Sequence, residues 1–332
     1  MKKLFISLAT FLVASVCFAQ SSMLATLSHD GEISTYYGAT ALREAYNAAT
    51  HGDIITLSSG SFVSVDIAKA LTIRGAGMEI NETAQTEPTV ITGNFTINIP
   101  TDVTERLTIE GIYSNHAIYY SGTLRNATFI KDRFKSISSS NSGYLINATF
   151  IHCRIADELT LYKNSSASCV NCVIWGPYTW DSSTSNFEFQ NCVIYRSQFN
   201  SYVYSSSFKN CILIFHYDYD KIMSNCVAYN CVGIGATNSF TNIPNTSNSV
   251  KGYGEVFKTL TDDTYNDSET FELTDEAKTS LLGIDGTQVG IYGGNMPFSS
   301  TPTNPQITKC NVAAKSTADG KLSVDITVNG AE

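Results

Sequence analysis

Charge is scarce in this chain. Asp, Glu, Lys and Arg make up 15% of its 332 residues, and only 21 of these are basic. Loss of Lys2 and Lys3 with a leader would take the net charge from −9 to about −11. Gripping nucleic acid requires concentrated positive charge, and no Lys/Arg-rich stretch is present, so nucleic acid is excluded as a partner. Long apolar runs are equally scarce. The single one, Leu4 to Val16, follows Lys2-Lys3 and precedes Cys17-Phe18-Ala19-Gln20, which predicts a secretory signal peptide (residues 1–19) cut after Ala19. Cys17 is a poor lipid-anchor site, because Val16 stands where a lipoprotein signal carries a small residue. No later run nears the roughly 18 apolar residues of a membrane span. The mature chain is therefore expected to be exported, to the periplasm, cell surface or medium, with no transmembrane segment. Helical periodicity over about 10–15 residues is also missing between the apolar segments, which argues against an alternating β/α protein.

What is abundant is Ser, Thr, Asn, Tyr and Phe, a composition suited to strands. It comes in repeats. FIKDRFK (129–135), FIHCRIA (150–156), CVNCVIW (169–175), FQNCVIY (189–195), FKNCILI (208–214) and MSNCVAY (223–229) align, with fourth positions at Asp132, Cys153, Cys172, Cys192, Cys211 and Cys226. The last step is short; Cys231 in place of Cys226 would restore a spacing of 20. Upstream, LTIRGAG (71–77) and LTIEGIY (107–113) share the pattern, with Glu110 about one period before Asp132. Short apolar alternations recurring at this period predict a parallel solenoid, each repeat one coil laid on the last at about 4.8 Å. Leucine-rich repeats share the period but need a Leu framework, and these coils centre on Phe, Ile, Val and Cys.

The ends of such a rod are open sheet edges that need covers. Around residues 34–51, Ala41, Leu42, Ala45, Tyr46 and Ala49 recur at helical spacing, and Gly52 sits where a helix-ending glycine belongs. A helix, then GDIITL, a bend at SSGSF and LTIRGAG resembles the opening of secreted right-handed parallel β-helix proteins of the pectate-lyase-like superfamily. LLGIDGTQVGIYGGNMPF (281–298) resembles a closing segment of such proteins in bacteria. The resemblance spans about residues 30–298 and implies an all-β, right-handed parallel β-helix over residues 20–298. It implies no particular activity, since that superfamily includes lyases, hydrolases, esterases and adhesins. Residues 236–298 are expected as irregular terminal coils and loops. A Pro-containing linker then opens residues 299–332, where Leu322, Val324, Ile326 and Val328 alternate after the turn ADG, predicting a β-hairpin with ITKCNVAAK.

The Asn-Cys pair, found five times between Asn171 and Cys231, supports several readings. As a structural ladder, Asn171, Asn191 and Asn210, followed by Asn225 or Asn230, would occupy sharp turns whose backbone Asn tolerates, their amides bonding from coil to coil. Cys153, Cys172, Cys192 and Cys211 would point into the core as small hydrophobes. As disulfides, the eight cysteines left after signal removal could pair, with Cys169–Cys172 or Cys226–Cys231 best placed, although same-facing residues on stacked strands have poor geometry. A redox CVNC (169–172) would want a helix N-terminus, and zinc a second matching pair; neither is present.

Chemistry leaves no motif. The Lys/Arg base and Ca²⁺-holding acids of the superfamily's lyases, and the paired Asp of its hydrolases, are not recognisable, so no cofactor is expected and Ca²⁺ has no support. Three clusters remain. Trp175, Tyr178 and Trp180, with Asp181, form an aromatic loop that could stack on sugar rings or plug the core. His216, Asp218 and Asp220 share one strand face beside Lys221, as an acid–base and cation set or an ordinary polar face. Lys131, Asp132 and Arg133 lie one coil from His152 and Arg154, a basic patch for an acidic polysaccharide or a self-neutralised surface. The expected function is glycan contact without a nameable catalytic site. The alternatives are a polysaccharide lyase or glycosidase and a structural or adhesive surface protein.

Overall fold

The structure, a computed structural model, describes residues 23–82, 86–140, 142–179, 185–196, 203–217, 225–237, 239, 240, 243, 247–303, 305–312, 315–317 and 319–329. It is a parallel β-solenoid. Among the described residues sheet 1 has eleven strands and sheet 2 twelve, two of which pair off its main path; Thr123–Arg125 pairs with Tyr144–Ile146 as a small third sheet. In sheet 1 the rungs Thr72–Arg74, Thr108–Glu110, Thr128–Ile130, Ala148–Ile151, Ser166–Val170, Asn186–Gln190, Ser207–Lys209 and Val227–Tyr229 pair in parallel, each with the next. Alternation decides which side chains enter the core. Ile73, Ile109, Phe129, Phe150, Cys169, Phe189, Phe208 and Ala228 form one inward column through that register, all buried. Phe129 and Phe150 stack at 4.8 Å and 6°, and Phe189 on Phe208 at 5.1 Å.

Between sheets 1 and 2 the chain turns through a single residue with positive φ. Gly111, Lys131, His152, Asn171, Asn191, Asn210 and Asn230 hold this place, with φ between 49° and 68°. Asn accepts that conformation more readily than most residues with a Cβ. The cysteine that follows points inward: Cys153 Sγ lies 3.3 Å from the Phe129 carbonyl, Cys172 Sγ 3.4 Å from that of Phe150, and Cys192 Sγ 3.3 Å from that of Cys169. Cys153, Cys169, Cys172, Cys192, Cys211, Cys226 and Cys231 are all buried free thiols. At Cys153, Cys192 and Cys231 burial favours the neutral thiol and pushes its pKa well up.

The register settles the short final step of the repeat. Val227 pairs with Ser207 and Tyr229 with Lys209, so Asn230-Cys231 continues the corner and the period of 20 holds. Asn225-Cys226 lies at the other end of that strand, with Cys226 Sγ 3.3 Å from the Val203 carbonyl. Glu110 needs a similar correction. It pairs with Ile130, two residues before Asp132. Asp132 instead fills the first place after the corner, where Ile112 N donates to it at 2.8 Å and Ile130 N at 3.1 Å. Its full burial raises its pKa well above the carboxylate range.

The two ends are closed differently. At the N-terminus β1 (Leu24–His29) and β2 (Glu32–Tyr37) form an antiparallel hairpin whose β1 pairs antiparallel with β3 (Ile54–Leu57), ending sheet 1. Its turn, Asp30-Gly31, has φ of 49° and 83°, the Asp-Gly signature of a two-residue hairpin turn that the sequence carried in plain view. Helix α1 (Ala41–Ala48) lays Ala41, Leu42, Ala45 and Tyr46 on the first coils. Tyr46 Oη accepts hydrogen bonds from Ala68 N at 2.6 Å and Lys69 N at 3.0 Å. His29 Nδ1 meets both Asp53 carboxylate oxygens, at 2.9 and 3.0 Å, tying the hairpin to the loop after α1.

Residues 247–303 are not simply worn coils. Ser249–Lys251 adds one more rung to sheet 2. The chain then leaves the solenoid through α2 (Tyr253–Val256) and α3 (Asp275–Ser280) and covers the outer face of sheet 2. Val193, Tyr195, Ile212, Ile214, Val232 and Ile234 are buried under Val256, Phe257, Leu260, Phe271 and Leu273. From Leu282 to Thr303 a strap runs back along the corner, against Asn230, Asn210, Asn171, His152, Lys131 and finally Glu110. The amides of Asn171, Asn210 and Asn230 therefore reach this strap instead of one another. Asn171 Nδ2 donates to Ile291 O at 2.7 Å and Gly293 O at 2.8 Å. A Cβ on Gly293 would stand 1.8 Å from the Gln288 carbonyl, so the strap can fold this tightly only with glycine there. Beyond it, Gln306–Val312 and Val324–Asn329 form the expected antiparallel hairpin.

Two outcomes test these contacts. Asn171→Ala should lower the unfolding free energy by about 3 kcal/mol, combining the cost of a left-handed Ala with two lost hydrogen bonds. Asn171→Gly should lose about half as much, because glycine keeps the turn; equal losses by denaturant titration would refute the corner's role. Hydrogen bonding to Asp53 raises the His29 pKa above 6.5, with the Asp53 and Asp30 charges adding to it. Its protonated form is thus favoured by folding, so the stabilisation is complete below 6.5 and is lost as pH rises through the raised value. The melting-temperature gap between wild type and His29→Gln should shrink from about pH 6 to pH 8; a constant gap would rule it out.

Candidate functional site

The aromatic candidates expected in a loop begin instead on strands of sheet 2: Trp175 ends Val173–Trp175 and Tyr178 lies within Pro177–Thr179. Val173–Trp175 lies beside Val193–Arg196 in parallel register, so Trp175 sits directly against Tyr195. Their rings stack at 5.1 Å and 23°, and Tyr265 from the covering segment meets Trp175 edge-on at 5.8 Å. Trp175 is half-buried at the rim of this second core. Tyr178 is half-buried on Pro177–Thr179, paired with Thr160. Trp180 and Asp181 lie outside the described residues.

Asp218, Asp220 and Lys221 lie outside them as well. His216 follows the strand Ile212–Phe215, and its Nδ1 contacts the carboxylate of Asp263. Its ring packs edge-on against Tyr217 at 4.1 Å. Asp263 comes from the acidic loop 261–268.

The basic cluster is fully employed by the C-terminal cover. Lys131 Nζ donates to Thr301 O. His152 Nε2 lies 3.0 Å from Met296 O, and burial pushes its pKa down. Arg133 pairs with Asp267 and lies 4.8 Å over the Tyr113 ring. Arg154 donates to Glu269 O at 3.1 Å and sits between the rings of Phe298, at 5.1 Å, and Phe271, at 5.8 Å. These side chains hold the cover and its strap against the solenoid. Among the described residues, no three His, Cys, Asp or Glu side chains converge on a metal-sized site.

Sheet 1 is the contrast. Its outer face carries an open groove of about 350 Å³ lined by Asn147, Thr149, Ser166, Ser168, Asn186 and Glu188, with Ala148 and Ala167 at its floor. Asn147 is a second corner residue, at φ 53° before Ala148–Ile151, which turns its side chain to the groove's edge. Ser166 Oγ donates to Asn147 Oδ1 at 3.2 Å and accepts from Asn147 N at 2.9 Å, so the rim is held coil to coil. Glu188 is exposed and is the one carboxylate in the lining. The sequence carried a signal for this groove that motif searching passes over: small polar residues recur in register at the outward positions of sheet 1. A second void, of about 20 Å³, lies among Leu42, Ile67, Ile73, Ile91 and Phe95; its lining is wholly apolar, so it is a packing gap.

No family model, curated protein or solved structure matches the chain. The fold and the groove therefore carry the functional reading.

Trp175→Ala separates the two roles open to that ring. Expected is a loss of about 2–4 kcal/mol in stability, as for a large aromatic removed from a packed site, with carbohydrate affinity of the folded protein unchanged. Lost affinity at unchanged stability would restore Trp175 as a sugar platform.

Proposed function

We propose that this chain is an exported β-helix protein that holds a glycan against the open face of sheet 1 and does not cleave it. The observation that carries this reading is the composition of the groove: hydroxyls and amides from Asn147, Thr149, Ser166, Ser168 and Asn186, with Glu188 alone as a charge. Hydroxyl and amide side chains in an open groove suit hydrogen bonding to sugar hydroxyls. Glycoside hydrolysis ordinarily needs two carboxylates flanking the bond, and this lining offers one. Lyase chemistry needs a free base, and Lys131, Arg133, His152 and Arg154 are engaged by the cover. Export rests on Lys2, Lys3 and the apolar run Leu4 to Val16. The pectate-lyase-like resemblance is supported at the level of a parallel β-helix, and membership in that superfamily remains part of this proposal.

A glycan array followed by product analysis on the bound polymers tests the reading. Binding with no new reducing ends or unsaturated products is expected. Turnover of a bound polymer would transfer the protein to the lyases or hydrolases, and absence of all binding would leave a structural or adhesive role.

A further inference from the structure

The outward residues of sheet 1 stand in columns fixed by its register. Thr72, Thr108, Thr128, Thr149 and Ser168 are mutual register partners on five successive rungs. Glu188 and Ser207 extend the column by two more. Among the described residues, the five hydroxyls make no side-chain hydrogen bond. Threonines of sheet 2 and its margins behave otherwise: Thr89 Oγ1 donates to Ser58 O at 2.8 Å and Thr92 Oγ1 to Phe62 O at 3.1 Å. Beside the hydroxyl column runs a second outward one, in which Ile130, Ile151 and Val170 are partners on three of the same rungs. The groove lies across the middle of this pattern, at Thr149 and Ser168.

Three properties of the face define what fits it. Rungs repeat at about 4.8 Å, close to the advance of one pyranose in an extended β-linked chain. Unpaired hydroxyls beside aliphatic side chains match a sugar that shows hydroxyls at its edge and C–H bonds on its face. Charge sets the third limit: no cation stands in the hydroxyl column, Arg74 in the neighbouring column is paired with Glu110 at 3.4 Å, and a strongly acidic protein repels polyanions. Resting on the glycan reading above, we infer that the ligand is a neutral, extended β-linked polysaccharide lying parallel to the solenoid axis, one sugar per rung from Thr72 to Ser168. Its hydroxyls would bond the column while its C–H faces rest on Ile130, Ile151 and Val170. Thr128 and Thr149, at the centre, would contribute most.

The test is calorimetric titration of the whole chain with two series of oligosaccharides, neutral β-linked glucans and acidic oligogalacturonates, in increasing lengths. Affinity should rise with length for the neutral series and level off near five sugars, one for each hydroxyl rung, with the acidic series weaker at every length. A Thr128→Val/Thr149→Val variant keeps the β-branched shape and removes two hydroxyls. It should fold as the wild type does by circular dichroism and bind the neutral pentamer roughly ten- to thirtyfold more weakly. Undiminished binding by that variant, or preference for the acidic series, would overturn this inference while leaving the glycan reading in place. Silence from both series together with the glycan array would remove the glycan reading itself, and this inference with it.

Discussion

One backbone requirement recurs in every coil from Gly111 to Asn230: the chain must pass from sheet 1 into sheet 2 through a single left-handed residue. That conformation costs an ordinary L-residue about 1–2 kcal/mol, so the corner favours Gly and Asn. Where Lys131 and His152 stand there instead, each gains a partner in the C-terminal strap, at Thr301 O and Met296 O. The same turn sets the coil length, directs the next side chain inward, and leaves the corner side chain outward with polar atoms to satisfy. The strap from Leu282 to Thr303 answers that last condition for most of the column. Asn191 is the exception: neither atom of its amide has a partner among the described residues.

The strap and the segment before it make the two faces of the rod unequal. Around Val173, Val193, Ile212 and Val232 sheet 2 is apolar on both sides, and Arg133 and Arg154 on its earlier rungs reach up to anchor what covers it. Side chains that look chemically active in the sequence are thereby committed to holding the protein together. Among the described residues sheet 1 has no such cover across its middle rungs, where its outward residues are mainly hydroxyls, amides and a few aliphatics, with Glu188 among them.

Much of this was legible before any coordinates. Period, strand type, the inward cysteines and the left-handed asparagines follow from local rules, because a coil of this kind repeats the same backbone problem every 20 residues or so. Two further signals were present and weaker. Asp30-Gly31 between alternating residues marks the N-terminal hairpin. The unbroken apolar runs VIW, VIY and ILIF mark strands buried on both faces, which predicts a cover over sheet 2. Cys226 and Cys231 could not be separated by spacing alone, since each follows an Asn; only the pairing of Val227 with Ser207 distinguishes them.

The sequence by itself determined the solenoid, its cap helix, its terminal hairpin and the structural nature of the Asn-Cys pair, all of which depend on interactions within a coil or between neighbours. Tertiary structure alone decided the fate of Trp175, Arg133, Arg154 and His152, because their partners, Tyr265, Asp267, Glu269 and Met296, lie some 90 to 145 residues further along the chain and share no repeat with them. The same long-range packing decided which sheet stays open. A periodic sequence describes every coil alike; the non-repeating segment that lies against one side of the stack is what gives the rod two different faces.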